Sequence, residues 1–253
     1  MLPTYLNGWG WLLLSLGPLL YLQKRLHFEI QAVFLLLTHS VEISIAIFSL
    51  LFFPGVLVHE LSHYGMAKVL GVKTGRISLI PRSNRKGYLQ MGYVETAITD
   101  PLRDTLIGIA PLISGGLIVA FIGLVRLQLA DVWYQAQTIG FESGFNSLIL
   151  AIRQPDFWVW FYLGFTVSSM MLPSESDRRS WITIGLWIFG LLVISILAGA
   201  GNWLVDTAAP KVALALTAIA VVLFISDLIH LVLLIPIWII RLFLRKITGY
   251  EVY

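Results

Sequence analysis

The chain has 253 residues, of which 58% are hydrophobic and 12% charged, and its mean hydropathy is +0.84. This balance is too apolar for an ordinary soluble domain and indicates an integral membrane protein in contact with the lipid bilayer. The net charge is only +3 and the chain contains no cysteine. Disulfides and thiolate metal sites are therefore excluded, and any metal ligands must be His, Asp or Glu.

The N-terminal segment, residues 1–42, is predicted to be membrane-associated. Residues 9–22 could form a short span, and residues 26–37 either a second span or an interfacial helix, because about 20 apolar residues are needed to cross the hydrocarbon. No basic residue precedes the first apolar stretch, so we do not expect a cleavable signal peptide.

The remainder of the chain contains five apolar runs that predict transmembrane helices: residues 43–64, 106–125, 157–172, 181–198 and 212–240. The predicted fold is therefore an all-α polytopic membrane protein with about five to six transmembrane helices. Between the first two runs, strand-like residues 76–80 and 88–95 flank the turn-like sequence PRSNRKG and predict a small β-hairpin. Residues 182–253 are predicted to form the C-terminal transmembrane helices.

The basic residues predict the orientation in the membrane. If the hairpin is cytoplasmic, twelve of the 17 basic residues fall on the inside: Lys68, Lys73, Arg76, Arg82, Arg85, Lys86, Arg103, Arg178, Arg179, Arg241, Arg245 and Lys246. Such a bias follows the positive-inside rule. The positive charge is therefore interpreted as setting the orientation of a multi-pass protein. It is not interpreted as a nucleic-acid surface, and no nucleic-acid partner is expected.

The sequence HELSH lies within the first of these apolar runs. On a helix, His59 and His63 are four residues apart and share a face, so both imidazoles can reach one metal ion. Glu60 then points toward a water on that ion as a general base. Ionisable groups inside an apolar helix are costly and usually functional, so this spacing predicts a metal site near the cytoplasmic face.

A catalytic zinc ion takes three protein ligands and leaves a position for water. The sequence MMLPSESDRRSW follows the third run and offers Asp177 as the third ligand, with Glu175 as the rival. Pro173 ends the preceding helix and could turn the carboxylate back toward the bundle. A solvated Asp177 paired with Arg178 or Arg179 is an equally good interpretation of the spacing.

These motifs resemble the site-2 protease family of intramembrane zinc metalloproteases, over approximately residues 53–181. Four features occur in the family's order: HELSH, a glycine-containing hairpin (GRISLIPRSNRKGYLQMGYV), the small-residue sequence GIAPLISGGLI, and a loop in which Pro precedes Asp. The chain is similar to a divergent member, because Met170 and Arg178 stand where the family usually has Asn and Gly, and no PDZ-like insert is evident.

The resemblance implies a three-helix metalloprotease core within residues 43–181, carrying the hairpin near residues 76–95. It implies Zn2+ as the cofactor, His59, His63 and Asp177 as metal ligands, and Glu60 as the catalytic base. The expected activity is hydrolysis of a peptide bond in or near a transmembrane segment of a membrane protein substrate.

The alternative is a non-proteolytic zinc-binding membrane protein on the same scaffold, such as a binder, chaperone or transporter. Asp227 and His230, in FISDLIHLVLL, keep this alternative open because they are three residues apart and could pair on a helix. They could serve a proton or water path or support the metal ligands, or they could simply join helices.

Overall fold

The computed structural model describes residues 4–83 and 89–250, and this part of the chain is mostly helical. The longer helices are α1 (Thr4–Thr38), α2 (Val41–Val69), α3 (Pro101–Phe121), α4 (Leu129–Thr138), α5 (Phe141–Ile152), α6 (Phe157–Met170) and α7 (Trp181–Leu197), and the short α8 (Gly201–Trp203) precedes α9 (Ala209–Thr248). A π-helical turn, Ile122–Arg126, extends α3, and another, Leu204–Ala208, joins α8 to α9.

Three helical stretches in the described residues are long and apolar enough to cross a membrane: Val41–Val69, Pro101–Arg126 and Gly201–Thr248. They coincide with three of the five predicted spans. The other two are shorter than a full span, since α6 has 14 residues and α7 has 17. The N-terminal segment is not divided into two short pieces, because α1 is one helix of 35 residues.

The hairpin is present as two short antiparallel pairs. The strand β1 (Thr74–Ser78) pairs with β4 (Tyr93–Thr96), and β2 (Arg82–Ser83) pairs with β3 (Leu89–Gln90). The second predicted strand is therefore broken between β3 and β4. Most of the predicted turn PRSNRKG, together with Tyr88, lies outside the described residues.

The helices α2, α3 and α6 pack together and carry the candidate site. Ser40 caps the N-terminus of α2, and the Asp100 side chain caps α3 by accepting from the backbone N–H of Arg103 at 3.0 Å. The close approach of α6 to α2 explains Gly55, because a Cβ there would overlap the backbone of Thr166. The helix α2 continues without interruption through Pro54.

The helices α1 and α9 run parallel to each other. Gly8 contacts the backbone of Ala213, and Glu29 forms an ion pair with Arg241. The C-terminus of α9 therefore lies beside the C-terminal part of α1, which is joined by a short turn to the start of α2. Arg241 thus lies at the level of Glu29, between His27 and Gln31 of α1.

Candidate metal centre

Both histidines of HELSH project from α2 with their Nδ1 atoms fixed by backbone carbonyls of other helices. The Nδ1 of His59 lies 2.6 Å from the carbonyl oxygen of Met170, at the end of α6. The Nδ1 of His63 lies 2.8 Å from the carbonyl oxygen of Ile107 in α3. A carbonyl only accepts, so each Nδ1 must donate its hydrogen, and this tautomer leaves Nε2 as the free ring nitrogen.

The two free nitrogens meet at one point. The Nε2 atoms of His59 and His63 are 3.1 Å apart, and Asp177 adds carboxylate oxygens 3.3 Å from the Nε2 of His63 and 3.8 Å from that of His59. All three ligand atoms lie within 4.8 Å of one another. In the neutral tautomer this convergence directs lone pairs and a negative charge at a common centre, so a shared proton or a cation is required there.

The donor set fits a zinc ion. Ligand atoms about 2.0–2.1 Å from one tetrahedral zinc lie about 3.3 Å from each other, close to the separations between these side chains. Zinc sites combine imidazole nitrogens with carboxylate oxygens, and each histidine already has the hydrogen-bond partner on its second nitrogen that zinc-binding histidines usually have.

The loop between α6 and α7 brings Asp177 to the histidines. Ser174 donates to the Asp177 carboxylate from its backbone N–H at 2.7 Å and from its hydroxyl at 2.6 Å. Burial acts to raise the pKa of Asp177, but the hydrogen bond and charge of a protonated His63, together with the bonds from Ser174, lower the pKa to about 2. The side chain is therefore a carboxylate that can bind a cation.

Two features of α3 hold this loop in place. The Asp104 carboxylate forms an ion pair with Arg179 and accepts a hydrogen bond from the Ser180 hydroxyl at 2.6 Å. Farther along α3, Gly108 lies directly against the backbone of Asp177, where a Cβ would overlap the Asp177 carbonyl oxygen. The small residues of GIAPLISGGLI thus allow the loop to approach α3.

Glu175, the rival third ligand, lines the same cavity but does not belong to the group of converging ligand atoms. Asp177 also does not pair with the two arginines that follow it. Arg179 pairs with Asp104, and the Nε of Arg178 donates to the carbonyl oxygen of Ser174 at 3.2 Å.

Glu60 is buried beside the histidines and contacts the hairpin. Its side chain is only 6% exposed, and a Cβ at Gly92, between β3 and β4, would lie 2.8 Å from its Oε1. Gly92 therefore leaves room for the carboxylate. A cavity of about 880 Å³ is lined by Glu60, His59, His63 and Asp177 together, so the four predicted site residues share one space.

Asp227 and His230 do not pair with each other. His230 is fully buried, with its Nδ1 2.7 Å from the carbonyl oxygen of Ser226 and its Nε2 3.0 Å from the hydroxyl of Ser169. The Oδ1 of Asp227 is buried and has no hydrogen-bond partner among the described residues. His230 thus joins α9 to Ser169 of α6. The next residue, Met170, carries the carbonyl that orients His59.

Three residues that support the candidate metal centre were not predicted from the sequence: Asp104, Gly92 and Ser169. Asp104 had a local signal, since an acidic residue in the first turn of a helix is favoured by its N-terminal dipole. The contacts of Gly92 and Ser169 are long-range, and their local sequences carry no such signal.

Comparisons of the chain with protein-family models, with curated proteins and with solved structures give no match.

Proposed function

We propose that the protein is an intramembrane zinc endopeptidase, similar to site-2 proteases, that cleaves a membrane protein in or near a transmembrane segment. The observation that carries the proposal is the convergence of His59, His63 and Asp177, with Glu60 in the same cavity. Three donors beside one buried acid match the composition of a catalytic rather than a purely structural zinc site.

The order of elements agrees with the proposal. The helix α2 carries both histidines, and α3 orients His63 through the carbonyl of Ile107. Both helices are long and apolar enough to cross a membrane. We propose that α2, α3 and α6 are the proteolytic core of a multi-pass protein with about five to six spans. Its site would face the cytoplasmic side, where Lys68, Lys73 and Arg76 follow α2.

In the reaction, His59 and His63 would hold the ion through Nε2 and Asp177 through its carboxylate. A bound zinc ion supplies Lewis acidity that makes water nucleophilic near neutral pH. Glu60 accepts the proton of the attacking water on a carboxylate oxygen, holds it, and donates it to the nitrogen of the leaving amine. Gly92 leaves room for this carboxylate beside the hairpin, where a side chain with a Cβ would crowd it.

The test is Glu60→Gln, with Glu175→Gln as the matched control in the same cavity. Each protein is purified in detergent, its zinc is measured, and it is reconstituted with single-span membrane proteins whose cleavage products are identified by mass spectrometry. We expect Glu60→Gln to keep its zinc and lose at least about 100-fold in cleavage rate, because general acid–base catalysis contributes about 10²–10⁴. Glu175→Gln should keep both.

Turnover retained in Glu60→Gln would refute its role as the base. Zinc bound by the wild type without any cleavage would instead favour the alternative, a zinc-dependent binder, chaperone or transporter. A wild type that holds no zinc when purified without chelators would contradict both functions.

A further inference from the structure

The cavity at the candidate metal centre has a wall that the three-helix core does not supply. Gln23, His27 and Gln31 of α1 line it together with the residues of the centre. They are spaced by four residues and therefore lie along one face of α1. Because a helix rises 1.5 Å per residue, this polar stripe is about 12 Å long.

The stripe is anchored at one end and open at the other. The Nε2 of Gln23 donates to the carbonyl oxygen of Ser169, which ties α1 to the end of α6 beside the centre. Gln31 is exposed on the cavity, and its backbone carbonyl accepts from the hydroxyl of Ser44 at 3.3 Å.

His27 lies between these two glutamines. Its ring packs edge-on against Phe48 and Phe52, with centroid distances of 5.5 and 4.8 Å. Its Nε2 is buried and has no hydrogen-bond partner among the described residues. This nitrogen has almost no accessible surface, so the ring forms part of the cavity wall, and Gln31 is the member of the stripe whose residue is exposed.

We propose that the α1 stripe is one wall of a peptide-binding cleft and hydrogen-bonds the backbone of an unwound substrate segment. This inference rests on the proposed proteolytic function and adds to it the residues that hold the substrate. Tyr93, Val94 and Thr96 of β4 line another part of the cavity, so the peptide lies between α1 and the hairpin.

The chemistry and dimensions fit a peptide backbone. Carboxamides both donate and accept, which matches alternating N–H and C=O groups without demanding a particular sequence. About 12 Å corresponds to about four residues of an extended chain at about 3.3 Å each. The volume of about 880 Å³ lies within the range of ligand cavities.

Two probes of the zinc-loaded protein separate the cleft from the metal. Acetohydroxamate reports metal binding alone, and a tetrapeptidyl hydroxamate reports the metal and the cleft together. In Gln31→Leu we expect the affinity for the tetrapeptidyl probe to fall about three- to tenfold, the effect of one lost hydrogen bond. The affinity for acetohydroxamate should not change.

Tyr21→Leu is the matched control, because Tyr21 is 68% exposed on α1 and does not line this cavity. It should leave both affinities unchanged. Equal affinity of Gln31→Leu and wild type for the tetrapeptidyl probe, with zinc and acetohydroxamate binding intact, would overturn the α1 cleft and leave the metal centre standing. A wild type without zinc would overturn the proposed function and the cleft together.

A second measurement uses the absence of cysteine in this chain. Gln31→Cys creates a single thiol, which a charged, water-soluble thiol reagent should label. We expect the tetrapeptidyl hydroxamate to slow that labelling and to leave the labelling of Tyr21→Cys unchanged. Labelling of Gln31→Cys that is not slowed by saturating probe would contradict the proposal.

Discussion

The two histidines of HELSH differ in what holds them. His59 depends on the carbonyl of Met170 at the end of α6, and His63 on the carbonyl of Ile107 within α3. Ile107 lies within α3, whereas Met170 is the last residue of α6. The orientation of His59 therefore depends on how well the end of α6 is held.

Removal of the third ligand is the most direct test of the donor set. In Asp177→Ala we expect the protein to lose stoichiometric zinc, because two imidazoles alone leave the ion without the third ligand that catalytic zinc sites have. In Glu175→Ala, two residues earlier in the same loop, the zinc content should equal that of the wild type. Elemental analysis of protein purified without chelators measures both.

Zinc retained by Asp177→Ala and lost from Glu175→Ala would reverse the assignment of the third ligand. Thermal unfolding of each variant after removal of zinc serves as the control, since both should then unfold at the temperature of the zinc-free wild type.

A second prediction at the residue scale concerns a glycine that touches no ligand side chain. Gly108→Ala would force the Asp177 backbone away from α3, since the new Cβ overlaps the Asp177 carbonyl oxygen. Gly116→Ala, in the same helix, meets only Val222 Cγ1 at 3.8 Å, an ordinary contact. We expect Gly108→Ala to weaken zinc binding by about 10–100-fold, as supporting residues of metal sites do, and Gly116→Ala to bind normally.

Zinc competition with a chelator of known affinity provides the two dissociation constants. Equal constants for the two alanine variants would show that the loop can shift without moving the carboxylate.

At the scale of elements, the end of α6 is held from two sides. The His230 imidazole of α9 hydrogen-bonds to the Ser169 hydroxyl at 3.0 Å, and Gln23 of α1 donates to the Ser169 carbonyl. The next peptide unit carries the Met170 carbonyl that orients His59. Two helices outside the three-helix core thus support a ligand of the candidate centre through one short segment of backbone.

Ser169→Ala tests this support, and Ser168→Ala is its neighbouring control. Both serines are buried, but the Ser168 hydroxyl donates only to the Phe165 carbonyl of its own helix, at 3.1 Å. Ser169→Ala leaves the fully buried His230 Nε2 without that partner, so it should lower the free energy of unfolding by about 0.5–2 kcal/mol and weaken zinc binding.

Ser168→Ala should change both quantities less. Denaturation in detergent and chelator competition measure them. An equal loss of zinc affinity in the two variants would mean that the His230 contact does not reach the centre.

The sequence predicted local elements better than their arrangement. Hydrophobic runs identified α2, α3 and the long helix containing α9, and the alternating residues near 76–95 identified the hairpin, because these signals are local. The predicted bounds of α6 and α7 agree with the observed helices to within two residues. Whether α1 was one helix was left open, because Lys24, Arg25 and Glu29 interrupt its apolar pattern.

The candidate site shows the same limit. The HELSH spacing alone placed His59 and His63 on one face, but spacing left Asp177 and Glu175 open as third ligands. The choice depends on the Ser174 bonds and on the contact with Gly108, which are set by how the loop packs on α3. Distances along the chain do not encode that packing.

At the scale of the whole molecule, α1 and α9 form a parallel pair that borders the core. The pair contains a buried cluster of charges: Glu29 is 0% exposed, Arg241 is 8% exposed, and Arg25 lies 2.7 Å from the other oxygen of Glu29. Glu29 lies two residues from His27 on α1, so this ion pair joins α1 to α9 beside the polar stripe.

Removing one charge of the Glu29–Arg241 pair should destabilise the bundle more than replacing both residues by apolar ones. Arg241→Ala leaves the Glu29 carboxylate buried with Arg25 as its only remaining cation among the described residues, and uncompensated buried charges cost about 3–5 kcal/mol. Because Arg25 still neutralises part of the charge, we expect a loss toward the lower end of that range. Arg245→Ala, an exposed residue one turn later, should change stability little.

The double variant Glu29→Leu with Arg241→Leu removes both charges and should be more stable than Arg241→Ala, since replacing a buried ion pair by apolar residues is often neutral or stabilising. Thermal unfolding in one detergent compares all three variants with the wild type. All three should keep stoichiometric zinc, because the pair contributes no donor to the centre. Equal unfolding temperatures of Arg241→Ala and the double variant would show that Arg25 alone balances the buried Glu29 carboxylate.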